Sequence, residues 1–326
     1  MINRAVILGT GSSLPVRILT NVDLEKMVDT TDEWITSRTG IKSRHISTKG
    51  EETSKLGAEA ARQALNQAGI APEALDLIIV GTMTCEMTMP SCACLIQKEI
   101  GAVNAFAFDM NAACSGFLFS LDMADKYIRN NPAMKILVVG AENLSTRTNW
   151  QDRNTCVLFG DGAGACVLTG NDQGRGLLSS RLSSDGRLWH LLSMESAPSM
   201  NPELLRETNS GSFIQMAGRD VFKYAVRAME DSVTRLLADE QIVIEDVSLV
   251  IPHQANIRIL QSLAERLRIP PEKLYVNIDR YGNTSAASVA IAIDEVNRAG
   301  RLCRGDLLLL CAFGGGFTWG STIIRW

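Results

Sequence analysis

The chain has 326 residues, 46% hydrophobic and 21% charged, which suffices for a sizeable core and a length of about two domains. Its net charge of −4 supplies no general basic field, so nucleic acid and anionic membrane are not expected partners, and an acidic partner must meet a local basic patch. Eight cysteines lie mostly in apolar or small-residue strings, the pattern of reduced thiols in a cytoplasmic protein. The first apolar run is too short for a signal peptide, and no run approaches the roughly 18 residues of a membrane span.

Residues 5–9 read as a first buried strand. Gly9 and Gly11 follow, but Leu14 stands where a dinucleotide loop needs its third glycine, and no helix pattern follows directly. Residues 21–28 read as a short helix with Asn21 as N-cap. The polar segment 30–46 carries Trp34, Arg38, Lys42 and Arg44. A tryptophan and an arginine so close suit a stacked base and a phosphate, and suit a solvated helix with one anchoring Trp equally well. Residues 53–68 predict an amphipathic, alanine-rich helix, and 75–81 a continuous apolar strand of the parallel-sheet kind. Pro90 opens a further helix as a first-turn residue. Cys85, Cys92 and Cys94 cluster nearby, yet no histidine or fourth ligand is spaced for zinc, so no metal is expected.

Residues 106–110 alternate in the manner of a buried strand, and from Gly116 apolar residues recur at helical spacing through Leu121, Met123 and Tyr127. Cys114 therefore sits on a strand-to-helix elbow among Ala112, Ala113, Ser115 and Gly116. Unpaired N–H groups and the helix dipole favour a thiolate there, while a small core hydrophobe is the other reading of such a cysteine. Residues 135–140 predict another strand. The glycine run 160–164 reads as a turn between two strands, and 179–212 as a loop or excursion without a clear period. Residues 218–237 predict a long amphipathic helix, and the strand 247–252 runs straight into His253-Gln254-Ala255-Asn256.

An internal repeat relates the two halves, 1–174 and 175–326. Residues 75–80 resemble 247–252, and 135–141 resemble 306–312, an offset of about 170 positions. A second strand, elbow and helix at 275–288 sets Asn283 opposite Cys114, and His253 becomes the counterpart of Gly81. A pseudo-twofold axis between two βαβαβ-type halves would bring both elbows to one site. His253, one of three histidines, would join them at the carboxyl edge of the sheet.

Five separated stretches then closely resemble the thiolase-fold condensing enzymes of the β-ketoacyl-acyl-carrier-protein synthase III family: Asn111-Ala-Ala-Cys-Ser-Gly-Phe117, Gly160-Asp-Gly-Ala-Gly-Ala165, His253-Gln-Ala-Asn256, Tyr281-Gly-Asn-Thr-Ser-Ala-Ala287 and Phe313-Gly-Gly-Gly-Phe-Thr-Trp-Gly320. The likeness spans essentially the whole chain and implies an α/β body of five layers, α-β-α-β-α. It implies a triad of Cys114, His253 and Asn283, with the backbone N–H groups of Cys114 and Gly315 as the oxyanion hole. Where thiolases have a second cysteine and elongating synthases a second histidine, this chain has Asn283, which selects the initiating branch. The implied reaction joins an acyl-CoA, acetyl-CoA by default, to malonyl-carrier protein with loss of carbon dioxide and no cofactor.

The same resemblance sets Trp34 and Arg153 about the adenine of CoA, Arg38 on its phosphate, and Gly218, Phe222 and Asn256 along the pantetheine tunnel. Met83, Leu144, Phe159 and Phe313 fall at acyl-pocket positions. Met89 falls where relatives reach into the neighbouring subunit of a homodimer. Lys223, Gln254 and Arg258 fall at the docking site of the acidic acyl carrier protein. A same-fold acyltransferase with another acceptor, a specialised-primer enzyme and a noncatalytic partner subunit are the competing readings.

Overall fold

The computed structural model describes residues 3–171, 173–196, 199–201, 203 and 212–326. The chain first forms β1 (Arg4–Ser13), β2 (Ile18–Thr20), α1 (Asn21–Glu25), α2 (Asp32–Thr39), β3 (Ser43–His45), α3 (Thr53–Ala68), β4 (Leu77–Gly81), α4 (Cys92–Ile100), β5 (Phe106–Met110), α5 (Gly116–Asn130), β6 (Ile136–Asn143) and β7 (Asp161–Asn171). It continues through β8 (Gly176–Ser184), β9 (Leu192–Met194), β10 (Ile214–Met216), α6 (Gly218–Asp239), β11 (Leu249–Pro252), α7 (Ile257–Leu267), α8 (Ile278–Tyr281), α9 (Ala287–Arg298), β12 (Leu307–Gly314) and β13 (Thr318–Arg325).

Largely apolar runs form β4, β6 and β12 inside the two sheets and β11 beside β12, and every residue in these four strands is buried. Their side chains alternate between the two faces. Leu77 and Ile79 point to a central core shared with α5, α9 and the second sheet's Ile251, Leu308 and Leu310. Ile78 and Val80 point outward to a core with α3 and α4. Beyond the second sheet, α6 and α7 cover Val250, Leu307 and Leu309. Helices, sheet, helices, sheet and helices thus stack as five layers.

The sheets run in the orders β1-β7-β6-β4-β5 and β8-β13-β12-β11. The first holds three parallel strands, β6, β4 and β5, and the second the parallel pair β11 and β12; the remaining strands return antiparallel. Gly81 pairs with Gly140 and Pro252 with Cys311, so the repeat offset is 171 in both strands. Pro252, and not His253, is therefore the counterpart of Gly81. The partner of β5 is reduced in the second half to one parallel bridge between Val250 and Leu274.

Several expected features change with packing. Gly9 and Gly11 face α3, where a Cβ would come within 2.3 Å of the Ala64 carbonyl oxygen and 2.2 Å of that of Ala60. The glycine pair is a close helix contact, as its missing third glycine implied. The run 160–164 is not a turn, because Asp161 opens the long strand β7. A Cβ on Gly164 would meet the Ile291 backbone nitrogen at 2.5 Å, so these glycines let α9 lie on the strand. Residues 179–184 belong to β8 and not to an excursion; the remainder of that loop is partly outside the described residues.

Thr20, and not Asn21, caps α1, since Asn21 spends its amide on Asp32 and the Ile41 carbonyl. Pro90 precedes the helix start, where Ser91 is the cap and Asp109 accepts from the Cys92 and Ala93 N–H groups. Strand β5 lies at a sheet edge and leaves Phe106 48% exposed.

Candidate active site

A cavity of about 1020 Å³ opens between the halves and carries Cys114, His253 and Asn283 on its wall. Cys114 stands in a tight turn, Ala113–Ser115, immediately before α5. Ala113 takes a φ of 47°, and the bend is pinned to β13, with the Thr318 hydroxyl donating to the Ala112 carbonyl at 2.7 Å and the Ser115 hydroxyl to the Thr318 carbonyl at 3.1 Å. Strand β12 delivers the glycine loop to the same place. A Cβ on Gly314 would fall 2.6 Å from the Cys114 nitrogen, and Gly315 follows on the cavity wall.

The second elbow mirrors the first, in a register that differs from the sequence expectation. Ser285 has a φ of 49°, matching Ala113, 172 positions earlier. Asn283 is thus the counterpart of Asn111, and that of Cys114 is Ala286. The two elbows nevertheless meet, because the Ser285 hydroxyl lies 3.3 Å from Cys114 Sγ.

Asn283 is held by backbone bonds to Leu158 at 2.8 Å and Gly160 at 3.0 Å, and its Oδ1 accepts the Ser285 N–H at 2.9 Å. The acceptor end of the amide is consumed, and its Nδ2 donors keep no partner among the described residues. His253 directly follows β11, with its Nδ1 2.6 Å from the Ser288 hydroxyl, which leaves Nε2 as the free ring nitrogen. Burial pulls the His253 imidazole down to about 3, so it is neutral at physiological pH. Burial also pushes the Cys114 thiol up to about 12, with the nearby Glu142 carboxylate adding to the rise and the Ser285 hydroxyl opposing it. Desolvation at the buried Cys114 thus opposes the thiolate that the helix end favours.

The cavity mouth brings together much of what the sequence singled out. Trp34, Arg38, Gly218, Phe222, Asn256 and Arg258 line it, with Asn256 also capping α7 by accepting from the Arg258 N–H. The guanidinium carbons of Arg38 and Arg153 lie 5.3 and 5.4 Å from the Trp34 ring centroid. Arg153 is not itself on the wall and donates to the Asp29 carbonyl at 2.8 Å. At the inner end Met83, Phe159 and Phe313 line the cavity.

Leu144 is fully buried behind that wall, not on it. Met89 is off this chain's cavity and 83% exposed. Lys223 and Arg258 are exposed. Gln254 is not a docking residue: it is 1% exposed and spends its amide on the Pro252 and Tyr275 carbonyls and the Asn277 N–H. Trp189 and Arg219 join the mouth without having been foreseen. A Trp in an aperiodic stretch and an Arg on the first turn of an amphipathic helix were the available signals. Folding also brings the ligand atoms of Cys85, Glu86 and Cys92 within 4.8 Å of one another, but Glu86 is engaged by the N–H and hydroxyl of Ser54.

Two related halves with a cysteine from one and a histidine and asparagine from the other in a shared cavity define a thiolase-fold condensing enzyme. The family described as 3-oxoacyl-[acyl-carrier-protein (ACP)] synthase III matches residues 108–186, and its C-terminal part matches 237–326. A beta-ketoacyl-[acyl-carrier-protein] synthase III of Desulfotalea psychrophila is 54% identical over 321 residues, covering 98% of this chain and 99% of the relative. The chain belongs to the 3-oxoacyl-[acyl-carrier-protein] synthase III family. The crystal structure of such a synthase from Aquifex aeolicus superposes with a TM-score of 0.92 at 49% identity, over 99% of this chain and 100% of the other. The priming β-ketosynthase of the R1128 polyketide biosynthetic pathway reaches the same TM-score at 34% identity, over 99% of this chain and 96% of its own.

Proposed function

We propose that this chain carries out the initiating condensation of fatty acid synthesis, joining an acyl-CoA to malonyl-acyl-carrier protein. The observation that carries the reading is the convergence of Cys114, the free Nε2 of neutral His253 and the free Nδ2 of Asn283 on one cavity. Cys114 Sγ attacks the acyl-CoA thioester, with the Cys114 and Gly315 N–H groups receiving the oxyanion. CoA leaves, and malonyl-carrier protein enters. Loss of carbon dioxide builds negative charge on the malonyl thioester oxygen, which takes hydrogen bonds from His253 and Asn283.

The local bonds suit that role. Ser288 Oγ accepts from the Gln254 N–H at 3.4 Å, so its own proton is free to go to His253 Nδ1, which leaves the imidazole proton on Nε2. The carbanion attacks the acyl-Cys114 carbonyl and expels the sulfur, giving a 3-oxoacyl chain on the carrier. Two neutral donors suffice for this chemistry, and no metal or cofactor is part of the proposal.

CoA enters by the Trp34 and Arg38 mouth, where a stacking ring and cations suit adenine and phosphate. The acidic carrier meets Arg219, Lys223 and Arg258, a local basic patch on a net-negative chain. Exposed Met89 suits a contact with a second copy in a homodimer, and the site of action is the cytoplasm. The likeness to a polyketide priming enzyme supports one competing reading, a specialised primer. Incubation with acetyl-CoA and malonyl-carrier protein, read by mass spectrometry, should yield 3-oxobutanoyl-carrier protein. Acyl-Cys114 without condensation would overturn the reading, and a panel of acyl-CoAs shows which primer loads.

A further inference from the structure

Glu142 is fully buried at the end of β6, and the condensation as described leaves it unused. Its Oε2 accepts from the Thr84 hydroxyl, from Thr82 Oγ1 at 3.4 Å and from the Met83 N–H at 3.3 Å. Its Oε1 lies 3.1 Å from the Ser285 hydroxyl, whose other neighbour is Cys114 Sγ at 3.3 Å. No lysine or arginine bonds the carboxyl among the described residues. The turn after β4 presents only hydroxyls and an N–H to it, and Cys114 is the titratable group that Ser285 links to it. Burying a carboxylate without a counterion is costly, and these hydrogen bonds are what offsets that cost.

We propose that Ser285 and Glu142 form a proton relay that takes the thiol proton of Cys114 during acyl capture and returns it after condensation, with Glu142 as a positioning residue that holds the proton. A serine has one proton to donate, so its direction reports the state of its neighbours. With Glu142 ionised, Ser285 donates to the carboxylate and accepts from the Cys114 S–H. As Sγ bonds the acyl carbon, its proton moves to Ser285 Oγ while the serine proton moves to Glu142 Oε1. The bond from the acyl carbon to CoA sulfur breaks, and the CoA thiolate takes its proton from water.

In the second half, decarboxylation and attack expel Cys114 as a thiolate. Protonated Glu142 then returns its proton through Ser285, restoring thiol and carboxylate. The cycle balances and leaves His253 protonated on Nε2 throughout, as a donor to the malonyl oxygen. Burial holds Glu142 up at about 7, within reach of such exchange at neutral pH.

The relay rests on acyl capture at Cys114, so its test begins with a reaction that needs no acyl-CoA. The rate of Cys114 alkylation by iodoacetamide, followed by peptide mapping, is compared among the wild type, Glu142→Gln, Ser285→Ala and the double variant. The relay predicts about tenfold slower alkylation at neutral pH in each single variant, with the double variant no slower than the slower single. A carboxylate acting only by its charge predicts the opposite, faster alkylation in Glu142→Gln, and that result overturns the proposal.

Acetyl-CoA loading in a single turnover should rise in the wild type through about pH 7 and lose that rise in both single variants. At neutral pH loading should fall by about 10²-fold, far more than the decarboxylation of malonyl-carrier protein, which moves no proton at Cys114. Equal losses in the two half-reactions would make Glu142 a packing residue and overturn the relay. If alkylation follows the relay while acetyl-CoA never loads the wild-type cysteine, the relay stands and the functional reading falls.

Discussion

The elbow before α5 and the elbow before α9 share a backbone and differ in the side chains they present to the cavity. Both turn through a residue with φ near 50°, Ala113 in one and Ser285 in the other, and both lead into a helix of the central layer. The first surrounds a single reactive atom, Cys114 Sγ, with small side chains that leave it accessible from the cavity. The second carries polar groups at three places: Asn283 before the bend, Ser285 at it and Ser288 in the first turn of α9. Duplicating a fold doubles its backbone geometry, while Cys114 of the first elbow stands where the second has Ala286, and Ser285 of the second where the first has Ala113, so the two elbows present different side chains.

The sharpest way to break this difference is at the first elbow. Cys114→Ala should lower acyl loading on the order of 10⁴-fold or more, measured as mass gained from acetyl-CoA. At the second elbow, Asn283→Ala or His253→Ala should cost about 10²–10³-fold in malonyl decarboxylation and less in acyl loading. Normal condensation by Asn283→Ala would end the donor role assigned there. Arg258→Glu should lower carrier-dependent turnover about tenfold at low salt, and by less at high salt, because rim charges act through steering. Unchanged turnover would remove the carrier from that face.

Smaller and more diagnostic is the pH dependence of stability, read as urea midpoints. His253 sits at about 3 when folded against 6.5 when unfolded, so the unfolded chain binds the extra proton and stability falls as pH drops from 6.5 toward 3. Glu142 has the opposite sign. Its carboxyl is held up to about 7 from 4.5, so its contribution is full below 4.5 and is lost as pH rises through 7. His253→Gln should flatten the acid limb, and Glu142→Gln the neutral one.

Cys114, His253 and Asn283, the repeat of two halves and the apolar strands that build its sheets were legible in the sequence. Each is a local matter of residue type, spacing and period, and local patterns survive folding. The ionisation of Cys114 was not, since it depends on how completely two sheets and their helices exclude water from the elbow. Gln254 and Leu144 matched functional positions by motif, yet neighbours packed over them, and a motif carries no measure of exposure. The run 160–164 had the composition of a turn but became strand, with Gly164 leaving room for the backbone of α9 at Ile291.

Glu142 and Ser285 lie 143 positions apart and meet at Cys114 only when the two elbows close on one another. By itself the sequence determined which side chains the cavity could be built from and the order in which they occur. Tertiary structure alone decided their protonation, their partners and the register of the two elbows, because burial and contact between distant residues exist only after the halves have packed.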